Sequence, residues 1–210
     1  MIIFISGNGT GIGKTYILLK IMQELSNKGL SVVGAKPIET GIEILPPKES
    51  DGEVILSLTH QLNPKTRNLN LKDISPFRFS LPASPIVAGK VKINYIVDSI
   101  HRLKNFGDIV LVEGAGGLLV PVTENFLMVD FVSLLNAKLL LVFNSKLGII
   151  NDFLLNKFYL EQKKIPFHWG VNIVDQDYWS ITYPYLKKYN PKTFQFDITE
   201  IINELLSPLT

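Results

Sequence analysis

Residues 6–15 read Ser6-Gly7-Asn8-Gly9-Thr10-Gly11-Ile12-Gly13-Lys14-Thr15 and stand between two contrasting stretches of chain. Before them Ile2 to Ile5 is an unbroken apolar run, the composition of a strand covered on both faces. After them Ile17, Leu18, Ile21, Met22 and Leu25 fall on one helical face, with Lys20, Gln23, Glu24 and Lys28 opposite and Gly29 at the expected C-cap. In a strand–glycine loop–helix unit, backbone N–H groups converge on phosphate oxygens and the helix N-terminus adds a partial positive charge. Lys14 is expected to reach the β and γ phosphates of a nucleotide, and Thr15 to offer its hydroxyl to Mg²⁺. The strict pattern has glycine five places before Gly13; here that place holds Asn8, and the glycine is displaced to Gly7. A flexible glycine turn with an exposed lysine is the competing reading, and the flanking strand and helix disfavour it.

The same alternation continues outward. Ser31–Ala35, Ile109–Val112, Leu139–Phe143 and Phe167–Ile173 read as further strands, separated by helical patterns over Val54–Leu62, Tyr95–Phe106, Met128–Leu135 and Ile150–Gln162. This predicts an α/β fold, a doubly wound and mostly parallel sheet with helices on both faces, P-loop NTPase-like, whose ligands sit outside the carboxyl ends of the strands. A single domain over residues 1–210 is expected, with no repeat or linker to divide it, and Asn63–Pro85 reads as an excursion over the surface near the site. Lys and Arg number 21 against 19 Asp and Glu, a net charge of +2, which argues against a nucleic-acid-wrapping protein. The absence of cysteine removes disulfides and thiolate chemistry and suits a cytoplasmic location. The apolar runs fall far short of the roughly 20 residues of a spanning helix, and the amino terminus reads as a buried strand, so no membrane partner is expected.

Several polar groups follow predicted strands. In Lys36-Pro37-Ile38-Glu39-Thr40-Gly41, proline stiffens the exit and glycine permits a sharp turn, so that Lys36 and Thr40 can face a pocket; a solvated turn is the alternative. Ser50 and Glu53 match a capping box around Asp51, and on local grounds a structural role for Asp51 is favoured. Glu113 ends an apolar strand and opens Gly114-Ala115-Gly116-Gly117, a position suited to a metal ligand. Lys146-Leu147-Gly148-Ile149-Ile150-Asn151 begins another helix and can present N–H groups to an anion. His60, His101 and His168 lack metal-ligand spacing, and Trp179 and the tyrosines around Tyr183 read as packing.

Taken in order, these segments closely resemble the dethiobiotin synthase family over residues 1–165. The resemblance implies an ATP-dependent ligase that joins CO₂ to 7,8-diaminopelargonic acid through a carbamate and a carbamic-phosphoric anhydride. It implies Lys14 and Lys36 as catalytic groups. It assigns ATP to Gly11, Ile12, Gly13, Lys14, Thr15, Tyr16, Asp51, Glu113, Gly114, Ala115 and Gly116, and Mg²⁺ to Thr15, Asp51 and Glu113. The diamine falls to Thr40, and its carboxylate to Gly148, Ile149 and Asn151 of a second protomer in a homodimer whose sites lie at the interface. Many family members carry aspartate in place of Gly9, and a base-reading asparagine where this chain has Val174, between Asn172 and Asp175. The rival reading is a partitioning-type nucleotide switch; its signature lysine would stand at Gly9 and is missing, and Ile198–Leu206 is short and acidic where a membrane-targeting tail would be basic. A catalytically silent module of the same fold is disfavoured by the joint presence of Lys14, Lys36, Asp51 and Glu113.

Overall fold

The computed structural model describes residues 1–42 and 49–207. Strand β1 (Ile2–Gly7) is buried at every position, as its unbroken apolar run requires. It turns through the glycine loop into α1 (Lys14–Asn27), followed by β2 (Val32–Ala35) and the short β3 (Ile38–Thr40). Next come α2 (Asp51–Leu62), α3 (Leu71–Ile74), β4 (Phe77–Phe79), α4 (Pro85–Ala88) and α5 (Ile93–Leu103). The second half runs β5 (Ile109–Glu113), β6 (Pro121–Thr123), β7 (Phe126–Leu127), α6 (Asp130–Leu134), β8 (Lys138–Asn144), α7 (Ile149–Gln162) and β9 (Phe167–Asn172). It closes with α8 (Tyr183–Leu186), β10 (Lys192–Thr193) and α9 (Ile198–Leu206).

Six strands form one parallel sheet in the order β10-β9-β8-β1-β5-β2. β2 and β5 lie on one side of β1, and β8, β9 and β10 on the other, so the winding reverses at β1. Such a switch point leaves a crevice beyond the carboxyl ends of the strands, and the glycine loop leaves β1 there. Register makes the placement specific: Ile5 pairs with Glu113 and Gly7 with Val142. The doubly wound α/β architecture expected from the alternation is the observed one.

Two expectations are corrected. The second helix begins at Asp51, three residues before Val54, because the Ser50–Glu53 capping box is formed: Ser50 Oγ accepts from Glu53 N–H at 3.3 Å, and Glu53 Oε2 accepts from Ser50 N–H at 2.8 Å. Nor is Asn63–Pro85 a bare surface excursion. It carries α3 and β4, and β4 pairs in parallel with β3 in a separate two-stranded sheet, Glu39 opposite Arg78. Among the described residues, no helix is long and apolar enough to cross a membrane.

Candidate active site

The glycine loop needs glycine where the chain turns into α1. Gly13 has φ 96°, and a Cβ there would lie 2.3 Å from Asn172 Nδ2. The turn places Lys14 and Thr15 at the N-terminus of α1. Lys14 is buried, and its ammonium donates to the carbonyl of Gly9 in its own loop. Burial lowers its pKa to about 8, with Glu113 and Asp51 acting in the opposite sense and Lys36 reinforcing the drop.

Around this loop lies a cleft of about 370 Å³. It is lined by Thr10, Gly11, Gly13, Lys14 and Thr15 from the loop, Lys36 and Thr40 after β2, Asp51 at the head of α2, and Glu113, Ala115 and Gly116 after β5. Three strand ends and one helix start therefore bring the expected catalytic lysines and all three expected metal ligands to one place. The Lys36 ammonium is the centre of the polar contacts. It donates to Asp51 Oδ2 and, at 2.9 Å, to Glu113 Oε1, which also accepts from Thr15 Oγ1 at 3.0 Å. Burial alone would pull the Lys36 ammonium down; the charges and hydrogen bonds of Glu113 and Asp51 outweigh it and hold its pKa above the ordinary lysine value. Burial pushes the Glu113 carboxyl up, against the pull of Lys36. The neighbouring charge of Asp51 acts with burial, so the Glu113 carboxyl is held above its ordinary value even though Lys36 pulls it down.

One oxygen of this cluster is left over. Glu113 Oε2 is buried and, among the described residues, has no hydrogen-bond partner. A buried carboxylate oxygen without a donor is costly, and a divalent cation is one group that would satisfy it. The donor set of Asp51, Glu113 and the Thr15 hydroxyl is all oxygen, as Mg²⁺ prefers. Among the described residues, no cluster of three His, Cys, Asp or Glu side chains could hold a metal unaided, so a cation here would draw its remaining ligands from phosphate and water.

Other expected residues stand apart from the cleft. Ile12 is a core side chain, Tyr16 is half exposed with the Lys20 ammonium 5.1 Å over its ring, and Gly114 is packed against Phe4 and Met128. Gly148, Ile149 and Asn151 lie at the start of α7, outside this cleft. The two regions are joined by Asn8, whose Nδ2 donates to Asp152 Oδ2 at 2.6 Å. A second cavity of about 470 Å³ lies between the glycine loop, residues 116–121 and α7, and shares Thr10 and Gly116 with the first.

Asn172 is not open to a nucleotide base. Its Nδ2 donates to the Ile12 carbonyl at 3.1 Å, and its Oδ1 accepts from Gln195 Nε2 at 2.8 Å. Gln195 is itself fixed by the backbone of Ile173, accepting from its N–H at 3.1 Å and donating to its carbonyl at 3.2 Å. The pair clamps the glycine loop from the far side of α1's start. Asp175 is likewise engaged in a turn with Ser145 and Asp177, while Val174 is exposed. Gln195, Asp152, Glu39 and Arg78 all contribute contacts that no local sequence pattern marked.

The model of an AAA domain family matches residues 2–178. The chain is 39% identical over 188 residues to the ATP-dependent dethiobiotin synthetase BioD of Sulfurovum sp., covering 87% of this chain and 88% of that protein. It is 33% identical over 217 residues to the same-named protein of Wolinella succinogenes, covering 99% of each. With that of Helicobacter pylori strain J99 it shares 32% identity over 96% of this chain and 98% of the relative. Among solved structures, a plasmid partition protein from Borrelia burgdorferi superposes with a TM-score of 0.59 over 98% of this chain and 99% of that one, at 14% identity. The MinD cell division protein of Aquifex aeolicus superposes with a TM-score of 0.52 over 96% of this chain and 86% of that one, also at 14% identity. The structural likenesses establish the fold alone.

Proposed function

The chain belongs to the ATP-dependent dethiobiotin synthetase family, and from that premise we propose that it converts 7,8-diaminopelargonic acid, CO₂ and ATP to dethiobiotin, ADP and phosphate in biotin biosynthesis. The observation that carries this reading is the convergence of Lys14, Lys36, Asp51 and Glu113 on one cleft, although 99 residues of chain separate the first from the last. An amine of the substrate adds to CO₂ to give a carbamate. A carbamate oxygen then takes the γ-phosphoryl group from ATP, forming a carbamic-phosphoric anhydride and releasing ADP. The second amine attacks the carbamate carbon, phosphate leaves, and the ureido ring closes.

Each residue has a distinct task. The glycine loop from Gly11 to Thr15 cradles the phosphates through its N–H groups, and Gly114 to Gly116 forms the facing wall. Lys14 exchanges the Gly9 carbonyl for phosphate oxygens and stabilises charge during transfer. Lys36 lies apart from the loop, where the carbamate must meet the γ-phosphate, and offsets the charge of two anions brought together. Thr40 meets the diamine. Thr15, Asp51 and Glu113 would hold Mg²⁺, which when bound neutralises charge on the phosphate oxygens. Lys36 and that cation share the same two carboxylates, so nucleotide loading frees the ammonium to turn toward the carbamate.

The substrate carboxylate falls to Gly148, Ile149 and Asn151 of a second protomer. Two features support a homodimer: these residues lie outside their own chain's cleft, and the same region exposes Leu147 completely and Leu155 and Phe158 at 61% and 65%. We assign the protein to the cytoplasm, a compartment that supplies the ATP this reaction consumes. Purified protein supplied with Mg-ATP, bicarbonate and diaminopelargonate should yield dethiobiotin and phosphate together. ATP hydrolysis indifferent to the diamine but stimulated by DNA or lipid would overturn the proposal in favour of a partitioning-type switch.

A further inference from the structure

Glu39 is a buried carboxylate, 4% exposed, that the reaction above leaves unused. Its Oε1 accepts from the Gly52 N–H at 3.1 Å, and its Oε2 accepts from Arg78 Nε at 3.2 Å. The Arg78 fork continues across the same helix start. Nη2 donates to Ser50 Oγ at 2.8 Å and lies 3.8 Å from Glu53 Oε2. Together the two side chains contact residues 50, 52 and 53 and leave the one between them, Asp51, turned toward Lys36. The parallel pairing of β3 and β4 sets Glu39 directly opposite Arg78, and Thr40 follows Glu39 on the same strand. Gly52 permits the approach, since a Cβ there would come within 3.1 Å of Glu39 Oε2 and of Ser75 Cβ.

The arrangement completes the cap and ties it to the strands. The Ser50–Glu53 box serves the Ser50 and Glu53 N–H groups, and the Gly52 N–H falls to Glu39, a buried carboxylate of β3 paired with Arg78 of β4, so the first turn of α2 is fastened to both strands. The Asp51 side chain is 46% exposed and, among the described residues, has no hydrogen bond besides that from Lys36. A half-exposed carboxylate keeps a fixed aim only if its backbone is held from both sides. We propose that Glu39 and Arg78 are positioning residues that lock the first turn of α2 to β3 and thereby hold Asp51 at the geometry needed for the divalent cation. The inference rests on the assignment of Asp51 as a metal ligand. Because neither Glu39 nor Arg78 touches the glycine loop, their loss should weaken use of the cation while sparing the loop's own grip on nucleotide.

The test is calorimetric titration of ADP, with and without Mg²⁺, into the full-length protein and into Arg78→Met, Arg78→Lys, Glu39→Gln and Asp51→Asn. Arg78→Met and Glu39→Gln should reduce the Mg²⁺-dependent gain in ADP affinity about tenfold and leave metal-free ADP affinity within about twofold. The Mg²⁺ concentration for half-maximal turnover should rise in parallel, with kcat at saturating Mg²⁺ largely kept, and Arg78→Lys should recover part of both. If these variants lower the melting temperature but leave the Mg²⁺ dependence unchanged, the pair is merely structural and the proposal is overturned. If Arg78→Met does not fold, Glu39→Gln, which keeps an acceptor for Gly52, and Arg78→Lys decide by the same comparison. Asp51→Asn separates the two levels. If it disturbs Mg²⁺ dependence while the brace variants do not, only the brace fails; if Asp51→Asn has no effect, the metal assignment fails and the brace with it.

Discussion

The two cleft lysines are held in opposite states, and their variants should fail differently. Lys36 is ion-paired to two carboxylates and does not touch the glycine loop. Lys36→Ala should therefore bind ADP within a few-fold of the parent while turnover falls by at least about 10³-fold, the scale of a lost transition-state charge contact. Calorimetry beside a phosphate-release assay checks this, and equal loss of binding and turnover would reassign Lys36 to the nucleotide. Lys14 is the reverse case, a lysine whose pKa burial lowers to about 8. Above that value the free enzyme's ammonium loses its proton, so ATP affinity should be flat below pH 8 and weaken steadily above it. Stability should move the other way. The unfolded chain holds the Lys14 proton up to about 10.5, so between the two values it binds more protons than the native state and native stability rises with pH. The gain over that window is at most on the order of 3 kcal/mol at about 1.4 kcal/mol per pK unit, and urea denaturation of the parent against Lys14→Met would isolate it. A difference between them that does not change from pH 7.5 to 10.5 would show that burial does not depress Lys14.

At the scale of elements, the glycine loop is braced by a strand end to which it is not connected in sequence. The Ile12 carbonyl accepts from Asn172 at the end of β9, and Gln195, just beyond β10, holds Asn172 in place. Removing the amide in Asn172→Ala should cost about 1 kcal/mol of stability, the ordinary net worth of a buried hydrogen bond. It should also weaken ATP binding several-fold, because the freed loop must then be ordered on binding. Gln195→Ala should show a smaller loss of the same kind, and an unchanged ATP affinity in both would limit the clamp to stability. This clamp marks the boundary of what was legible beforehand. Ile2–Ile5, Ile109–Val112 and Leu139–Phe143 announce themselves because a parallel strand covered on both faces must be apolar throughout. The loop, Lys36, Glu113 and the Ser50–Glu53 cap are equally readable, since each chemistry depends on near neighbours in sequence. β3 and β4 are three residues each and pair across the intervening helices α2 and α3, so no periodicity reveals them. The Glu39–Arg78 and Asn172–Gln195 contacts likewise depend on which strand ends meet, and single residues such as Glu39 and Gln195 carry no spacing signal.

For the whole molecule, fold and chemistry have to be separated. The sheet is shared with partition and cell-division proteins at 14% identity, so its architecture does not select a ligase. The proposed ligase chemistry rests on the set of side chains at one rim, and the proposed carboxylate contacts, Gly148, Ile149 and Asn151, stand outside the cleft that holds Lys36. If the site is completed across a dimer interface, two inactive variants should rescue each other. Lys36→Ala spoils the site that uses its own cleft, and Asn151→Ala spoils the site it serves on its partner. In a mixed dimer both lesions therefore fall on one site and the other is intact. After subunit exchange at equal concentrations, half the dimers are mixed and each has one sound site, so activity should return to about a quarter of the parent's, as two-fold symmetry requires. Phe158→Asp, which places a charge on an exposed apolar position, should leave the protomer folded, shift it to monomer in sedimentation, and abolish that rescue. Mixtures that stay inactive while sedimenting as exchanged dimers would place the carboxylate contact within a single chain, and full activity of a Phe158→Asp monomer would remove the need for a partner altogether.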